Sequence, residues 1–150
     1  MCNIVENFSL KSYNTFGINA KAKYFAEFDS LFTLKKIISS EIFQNNKSFI
    51  LGGGSNILLT KDYDGIIIHN KIRGIFILED NENDIIVEVG GGVDWHNFVI
   101  WSVSQKLSGI ENLALIPGTV GASPIQNIGA YGVEVKDTIH KLTALETATQ

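Results

Sequence analysis

Apolar and polar positions change period along the chain, and each change marks an element. Residues 24–28 (YFAEF) read as a strand. Asp29 follows as an N-cap, and Leu31, Leu34, Ile38 and Ile42 recur at helical spacing, which predicts a helix to about Glu41. A polar turn over 44–47 then leads into a short strand at 48–51. Residues 24–51 thus form a strand, helix, strand unit, parallel and right-handed. Residues 65–70 (GIIIHN) and 74–78 (GIFIL) read as strands, the second returning through the acidic turn 79–84 onto 85–89. Their consecutive branched residues suggest strands covered on both faces. Asp94 caps a helix over 95–107, with Trp95, Phe98, Val99, Val103 and Leu107 on its inner face and Gly109 at its end. Residues 8–18 are an irregular lead-in, and 138–146 alternate like a last strand.

Two kinds of interruption break this pattern. One is the long stretch 110–135, IENLALIPGTVGASPIQNIGAYGVEV, apolar enough for burial yet broken by Gly118, Gly121, Gly129, Gly132, Pro117 and Pro124. From 110 to 133 its one charge is Glu111. Such a segment is a folded loop that exposes main chain as its working surface, with Thr119, Ser123, Gln126 and Asn127 as neutral donors and acceptors. Its structural alternative is a Gly-rich crossover. The other interruption is a triple glycine after a strand, which occurs twice, at 52–54 and at 90–92. Thirteen of the fourteen glycines lie between Gly52 and Gly132, so backbone freedom is concentrated in the loops after strands.

The run from Gly52 through Ser55 and Asn56 fits neither common phosphate motif. A Walker loop needs Gly-Lys-Ser/Thr, and the first Lys is Lys61. A dinucleotide fingerprint needs Gly or Ala where Ile57 stands, and apolar strand follows rather than a helix. What remains is a glycine nest, successive N–H groups converging on an anion without a cation. Ligands of open α/β units collect at the carboxyl ends of strands, where this run lies.

The length of 150 residues suits one domain or two small lobes, and 45% hydrophobic residues mark it as globular. A net charge of −4 without a basic cluster argues against nucleic acid as partner. No unbroken apolar run is long enough for a membrane helix, the N-terminus is no secretory signal, and Cys2 alone makes neither disulfide nor metal site. A cytoplasmic location follows as the expectation. His69, His96 and His140 lack partners at metal-ligand spacing, so no metal is expected. Ser123 lacks the second glycine of a nucleophile elbow.

NTFGI at 14–18, LGGGSN at 51–56, VGGGVDW at 89–95 and ENLALIPGTVGASPIQNIGAYGVEV at 111–135 together resemble the UDP-N-acetylenolpyruvoylglucosamine reductase (UDP-N-acetylmuramate dehydrogenase) family along essentially the whole chain. The resemblance implies an α+β, two-subdomain FAD-binding fold of the vanillyl-alcohol oxidase type, truncated at the C-terminus. It divides the chain into a small α/β subdomain at 1–65 and the first part of a second subdomain at 66–150, with the substrate domain absent. It implies non-covalent FAD, NADPH as reductant, and reduction of UDP-N-acetylglucosamine enolpyruvate to UDP-N-acetylmuramate for the peptidoglycan cell wall. Gly52, Gly53, Gly54, Ser55 and Asn56, with Ile116, Pro117, Gly118, Gly121, Ser123, Ile125, Gln126, Asn127 and Gly129, would hold pyrophosphate and adenosine, and Asn14 and Thr15 would lie near the cofactor.

The family's chains are about twice as long, and its catalytic Arg, Ser and Glu come later than residue 150. Hydride transfer needs flavin, substrate and proton donor fixed together, so the chain alone is expected to carry no catalytic residue and to be inactive. Two readings compete with the reductase. A flavin-dependent oxidase of the same superfamily would share the glycine loops but not PIQNIGAYG, and a stand-alone FAD-binding module would have no reaction at all. Oligomeric state is left open.

Overall fold

The structure, a computed structural model, describes residues 3–82 and 84–147, so Cys2, Asn83 of the acidic turn and residues 148–150 lie outside it. Four strands make the first sheet: β1 (Ile4–Ser9), β2 (Lys21–Phe28), β3 (Ser48–Leu51) and β4 (Tyr63–Asn70), in the order β1-β2-β4-β3. β1 is antiparallel to β2, whereas β2 and β3 both run parallel to β4, which sits between them. The expected parallel unit is therefore present with a third strand inserted at its centre. β4 also runs across the division expected at residue 65, so the first sheet extends to Asn70. β1 lay outside the elements read from sequence; it is an edge strand bent at Asn7, whose φ of 51° places it in the left-handed region.

Ile66, Ile67 and Ile68 at the centre of β4 are almost wholly buried, and alternation sends them to opposite faces. Ile66 and Ile68 pack with Ala26, Phe28, Ile37, Ile38 and Phe43 under the helices. Ile67 packs with Leu10, Ala22, Phe25 and Leu51 on the other side. Burying each such side chain contributes roughly 1.5–3 kcal/mol.

The single helix expected from Asp29 to Glu41 is two, α1 (Leu31–Ile38) and α2 (Glu41–Gln44). Ser30, not Asp29, caps α1, its Oγ accepting from the Thr33 amide at 3.2 Å. Ser40 ends one helix and starts the next: its Oγ donates to the Ile37 carbonyl at 2.6 Å and accepts from the Phe43 amide at 3.2 Å. A short hydroxyl that competes for backbone groups breaks a helix that its apolar spacing would continue.

The hairpin β5 (Ile75–Asp80) and β6 (Ile85–Val89) forms a separate antiparallel pair. It is not covered on both faces, since Phe76 and Leu78 are 59% and 58% exposed. Residues 57–59 form no strand. α3 (Trp95–Ser104) starts, as its sequence indicates, with Asp94 accepting from the Asn97 amide at 2.9 Å. It ends earlier than Gly109: Lys106 takes the left-handed position (φ 61°), and the amides of Lys106 and Leu107 close onto the carbonyls of Val103 and Ser102. Ser102 rather than Val103 faces inward, and Val103 is half exposed.

A second core gathers Trp95, Val99, Ile110, Leu113, Ile128 and Val135. The Trp95 indole N–H donates to the Leu113 carbonyl at 2.8 Å and ties the glycine-rich stretch to α3. That stretch contains α4 (Ser123–Gln126) and the minimal hairpin β7 (Gly129–Ala130) and β8 (Val133–Glu134), turned by Tyr131 and Gly132 with φ of 52° and 79°. The strand expected over 138–146 is absent. Its alternation is real, but among the described residues no neighbouring strand offers a ladder to it.

Candidate functional site

Because β3 and β4 are parallel, their carboxyl ends open on one edge of the sheet. The run 52–56 leaves β3 there, and His69, Asn70, Lys71, Ile72 and Arg73 leave β4 beside it. Among the described residues the amides of Gly52, Gly53, Gly54, Ser55 and Asn56 donate to no protein acceptor. Gly54 is buried while Gly53 and Asn56 are exposed, so the unspent N–H groups lie at the surface and are open to a ligand. Across from them, the amides of Ile116, Gly118 and Thr119 are likewise free of protein acceptors.

Close backbone contact holds these loops together. A Cβ on Gly53 would stand 3.1 Å from Gly118 Cα, and one on Gly52 would stand 2.7 Å from Thr119 Oγ1. Gly54 has φ 67°, its carbonyl accepts from the Thr15 amide at 3.1 Å, and a Cβ there would overlap the Tyr13 carbonyl. Gly53 and Gly121 need no left-handed backbone; close approach to Gly91 favours glycine at Gly121, and the approach to Gly118 is tight at Gly53. At Gly118, φ 132° adds the backbone reason.

The cleft between the loops has a volume of about 320 Å³ and is lined by Thr15, Gly53, Ser55, Pro117 and Gly118, together with Thr119, Gly92, Asp94, His69 and Arg73. The last two were not expected. They come from the end of β4, outside both glycine-rich segments, and the rule that ligands gather at strand carboxyl ends was the signal that could have found them. The cleft is therefore not free of cations.

The other expected residues are distributed differently. Asn14 is buried beside the nest, but its side chain is consumed locally: Nδ2 donates to the Leu10 and Ile18 carbonyls (2.8 and 3.0 Å) and Oδ1 accepts from the Ile18 amide (2.9 Å). Gly121 packs on Gly91, to whose carbonyl it donates at 2.9 Å. Ser123 is buried, with Oγ donating to the Val120 carbonyl. Ile116 packs against the second core, Ile125 is 86% exposed, and Gln126 Nε2 approaches Gly118. Asn127, left-handed at φ 48°, ends α4 and with Gly129 lines a second groove of about 500 Å³ shared with Glu134 and Lys136. Of the expected site residues, Thr15, Gly53, Ser55, Pro117 and Gly118 line the cleft and Asn127 and Gly129 the second groove, while the rest line neither.

Behind the cleft lies a polar cluster. Glu27 on β2 accepts from His69 Nδ1 at 3.0 Å, from Lys71 Nζ at 3.1 Å and from the Tyr13 hydroxyl at 3.3 Å. Burial by itself would raise the Glu27 carboxyl, but the hydrogen bonds from His69 and Lys71 and their charges outweigh it and hold the group below its ordinary value. Burial, then the nearby Glu27 charge, pushes the Tyr13 phenol upward. No group of His, Cys, Asp and Glu able to hold a metal ion exists among the described residues.

With this geometry in place, comparison with known proteins decides the family. The FAD binding domain family matches residues 26–149. The chain belongs to that family. It is 50% identical over 147 residues to the UDP-N-acetylenolpyruvoylglucosamine reductase of Flavobacterium johnsoniae, covering 98% of this chain and 43% of that protein. The reductases of the same name from Amoebophilus asiaticus and Pseudomonas putida are 49% and 46% identical, each over 96% of this chain and 42% of their own length. The resemblance carried by the motifs is thus matched over nearly every residue, while the chain spans about two fifths of these relatives. A crystal structure of UDP-N-acetylenolpyruvylglucosamine reductase from Thermus caldophilus shares the fold, with a TM-score of 0.66 at 23% identity over 91% of this chain and 46% of that one. The α+β FAD-binding architecture is therefore established, and the chain is an FAD-binding part of a flavin oxidoreductase family.

Proposed function

We propose that the chain binds FAD non-covalently through its pyrophosphate at the cleft on the edge of β3 and β4. The observation that carries this reading is the row of five unspent amides at 52–56, facing the free amides of Gly118 and Thr119. Hydrogen bonds to a charged group contribute roughly 1.5–3 kcal/mol each, so such a row suits a doubly charged linker. Thr15 and Ser55 supply hydroxyls, and Arg73 adds a permanent charge. A cleft of about 320 Å³ is at the low end for ligand sites, which fits the pyrophosphate and its neighbouring sugar rather than a whole dinucleotide. The groove at Asn127 and Gly129 is the candidate for another part of the molecule.

When bound, FAD supplies hydride chemistry; this chain's residues bind and orient it. The names of the relatives support a reductase acting on UDP-N-acetylenolpyruvoylglucosamine, and the proposed reading adds UDP-N-acetylmuramate as product, NADPH as reductant and a place in cytoplasmic peptidoglycan synthesis. The partner is then a UDP-sugar rather than nucleic acid or membrane; no helix among the described residues is long and apolar enough to cross a bilayer. Residues 1–150 carry the cofactor and no catalytic group, so they should not oxidise NADPH on their own. Titrating the purified chain into FAD tests the reading: quenching of flavin fluorescence at micromolar protein is expected, with the flavin released on acid precipitation. Absence of quenching overturns FAD binding, and flavin retained in the precipitate favours an oxidase with a covalent flavin.

A further inference from the structure

The nest explains how an anion can be held without a cation, yet the cleft contains two groups at the end of β4 that can carry positive charge. Arg73 is always charged, whereas an imidazole titrates near neutral pH. We propose that His69 is a ligand-contacting residue of the cleft and that Glu27 is the positioning residue that presents its Nε2 to the anionic ligand, so that affinity rises as the imidazole is protonated. The proposal rests on the FAD reading above and adds a protonation-dependent contact to it.

The geometry supports each part. His69 lines the cleft, and its Nδ1 lies 3.0 Å from Glu27 Oε1. A carboxylate can only accept, so Nδ1 carries the hydrogen and Nε2 is left for other partners. The ring is held edge-on by Tyr13, centroids 5.2 Å apart at 89°, with Phe25 at 6.3 Å on another side, and Tyr13 is itself bonded to Glu27. Orientation is therefore set from β2 and from the 3-10 turn Lys11–Tyr13 together.

Charge then decides what Nε2 can do. The ionisable neighbours are Glu27 from β2, Tyr13 from the turn, Lys71 and Arg73 from the segment after β4, and Asp94 at the start of α3 across the cleft. The two carboxylates offset the two cations, and the Tyr13 phenol, pushed upward, is neutral in this range. Neutral His69 offers a lone pair to a phosphate oxygen, which is repulsive. Protonated His69 offers a charge-assisted donor and leaves the local charge positive.

The test is FAD affinity as a function of pH, because the FAD pyrophosphate stays ionised throughout. The wild-type chain should bind about tenfold more weakly at pH 8.0 than at pH 5.5. His69→Gln should bind with the same affinity at both. Glu27→Gln should fold, as judged by its thermal transition at pH 8, but lose most of the pH dependence. A flat wild-type profile, or one that His69→Gln leaves unchanged, overturns the proposal while FAD binding stands. Failure of the wild-type chain to bind FAD at any pH overturns both. Nitrogen-15 NMR of the ligand-free chain gives a readout independent of flavin: neutral His69 should hold its hydrogen on Nδ1, and an Nε2–H tautomer would remove the role assigned to Glu27.

Discussion

Two glycine triplets follow two strands of this chain, and most of their amides have different fates. At 52–54 no protein acceptor takes the N–H groups, and the loop bounds the cleft. At 90–92 Gly90 donates to the Gly74 carbonyl at 2.9 Å, Gly92 donates to the Ile72 carbonyl at 2.8 Å, and the Gly91 carbonyl accepts from Gly121. The second triplet is a structural clasp that ties the start of β5 to the glycine-rich stretch, although Gly92 reaches the cleft. Identical local sequence thus leaves its amides open to a cleft in one place and packs the chain in the other. What separates them is whether a neighbouring carbonyl is within reach.

The largest expected effect that sharpens this contrast is at Gly54. Gly54→Val forces a branched residue to a φ of 67° and drives its Cβ into the Tyr13 carbonyl, so a loss of about 3 kcal/mol or more is expected. Chemical denaturation measures it, and a near-native midpoint would show that the Tyr13 to Thr15 segment can move aside.

A matched pair comes next. Gly90→Ala places a methyl 2.5 Å from the Ile72 carbonyl oxygen, which should lower stability by about 1–3 kcal/mol while folded molecules keep their FAD affinity. Gly53→Ala meets only the Gly118 backbone, nearest at Cα 3.1 Å, so stability should fall by less than about 1 kcal/mol while FAD affinity falls about tenfold. Equal ratios of affinity loss to stability loss at the two sites would break the comparison.

The smallest effect concerns the wall behind the first triplet. The Glu27 carboxyl is held below its ordinary value of 4.5, so its contribution is present above that value and is lost as pH falls through the lowered one. Its side chain is 35% exposed, which limits the contribution to well under about 1 kcal/mol. Wild type should therefore lose slightly more stability than Glu27→Gln between about pH 5 and pH 3 in acid titrations followed by circular dichroism. An identical acid response would show that the cluster does not brace the fold.

Much of the fold was legible because burial imposes periodicity. β2, β3, β4 and the β5–β6 hairpin follow from runs of branched and aromatic residues, and Asp94 announces α3. The errors share a cause. Ser40 divides a helix whose apolar spacing continues, Lys106 occupies a cap that a nearby glycine was expected to take, and residues 138–146 alternate with no ladder to join. In each case hydrogen bonding, made by a neighbouring side chain or backbone group or missing from any neighbouring strand, overrode the apolar period. At the candidate site, the motifs located both walls but not His69 and Arg73, since nothing in GIIIHNKIRG tells which loop its end will meet.

By itself the sequence determined which segments are buried, where the backbone is free to bend, and to which family the chain belongs, because spacing and glycine content are local properties. Tertiary structure decided which amides remain unspent, that β4 inserts between β2 and β3, and that a glutamate on one strand holds a histidine on another beside the cleft. Those facts depend on distances between residues far apart in the chain, and parallel pairing of β3 with β4 sets them.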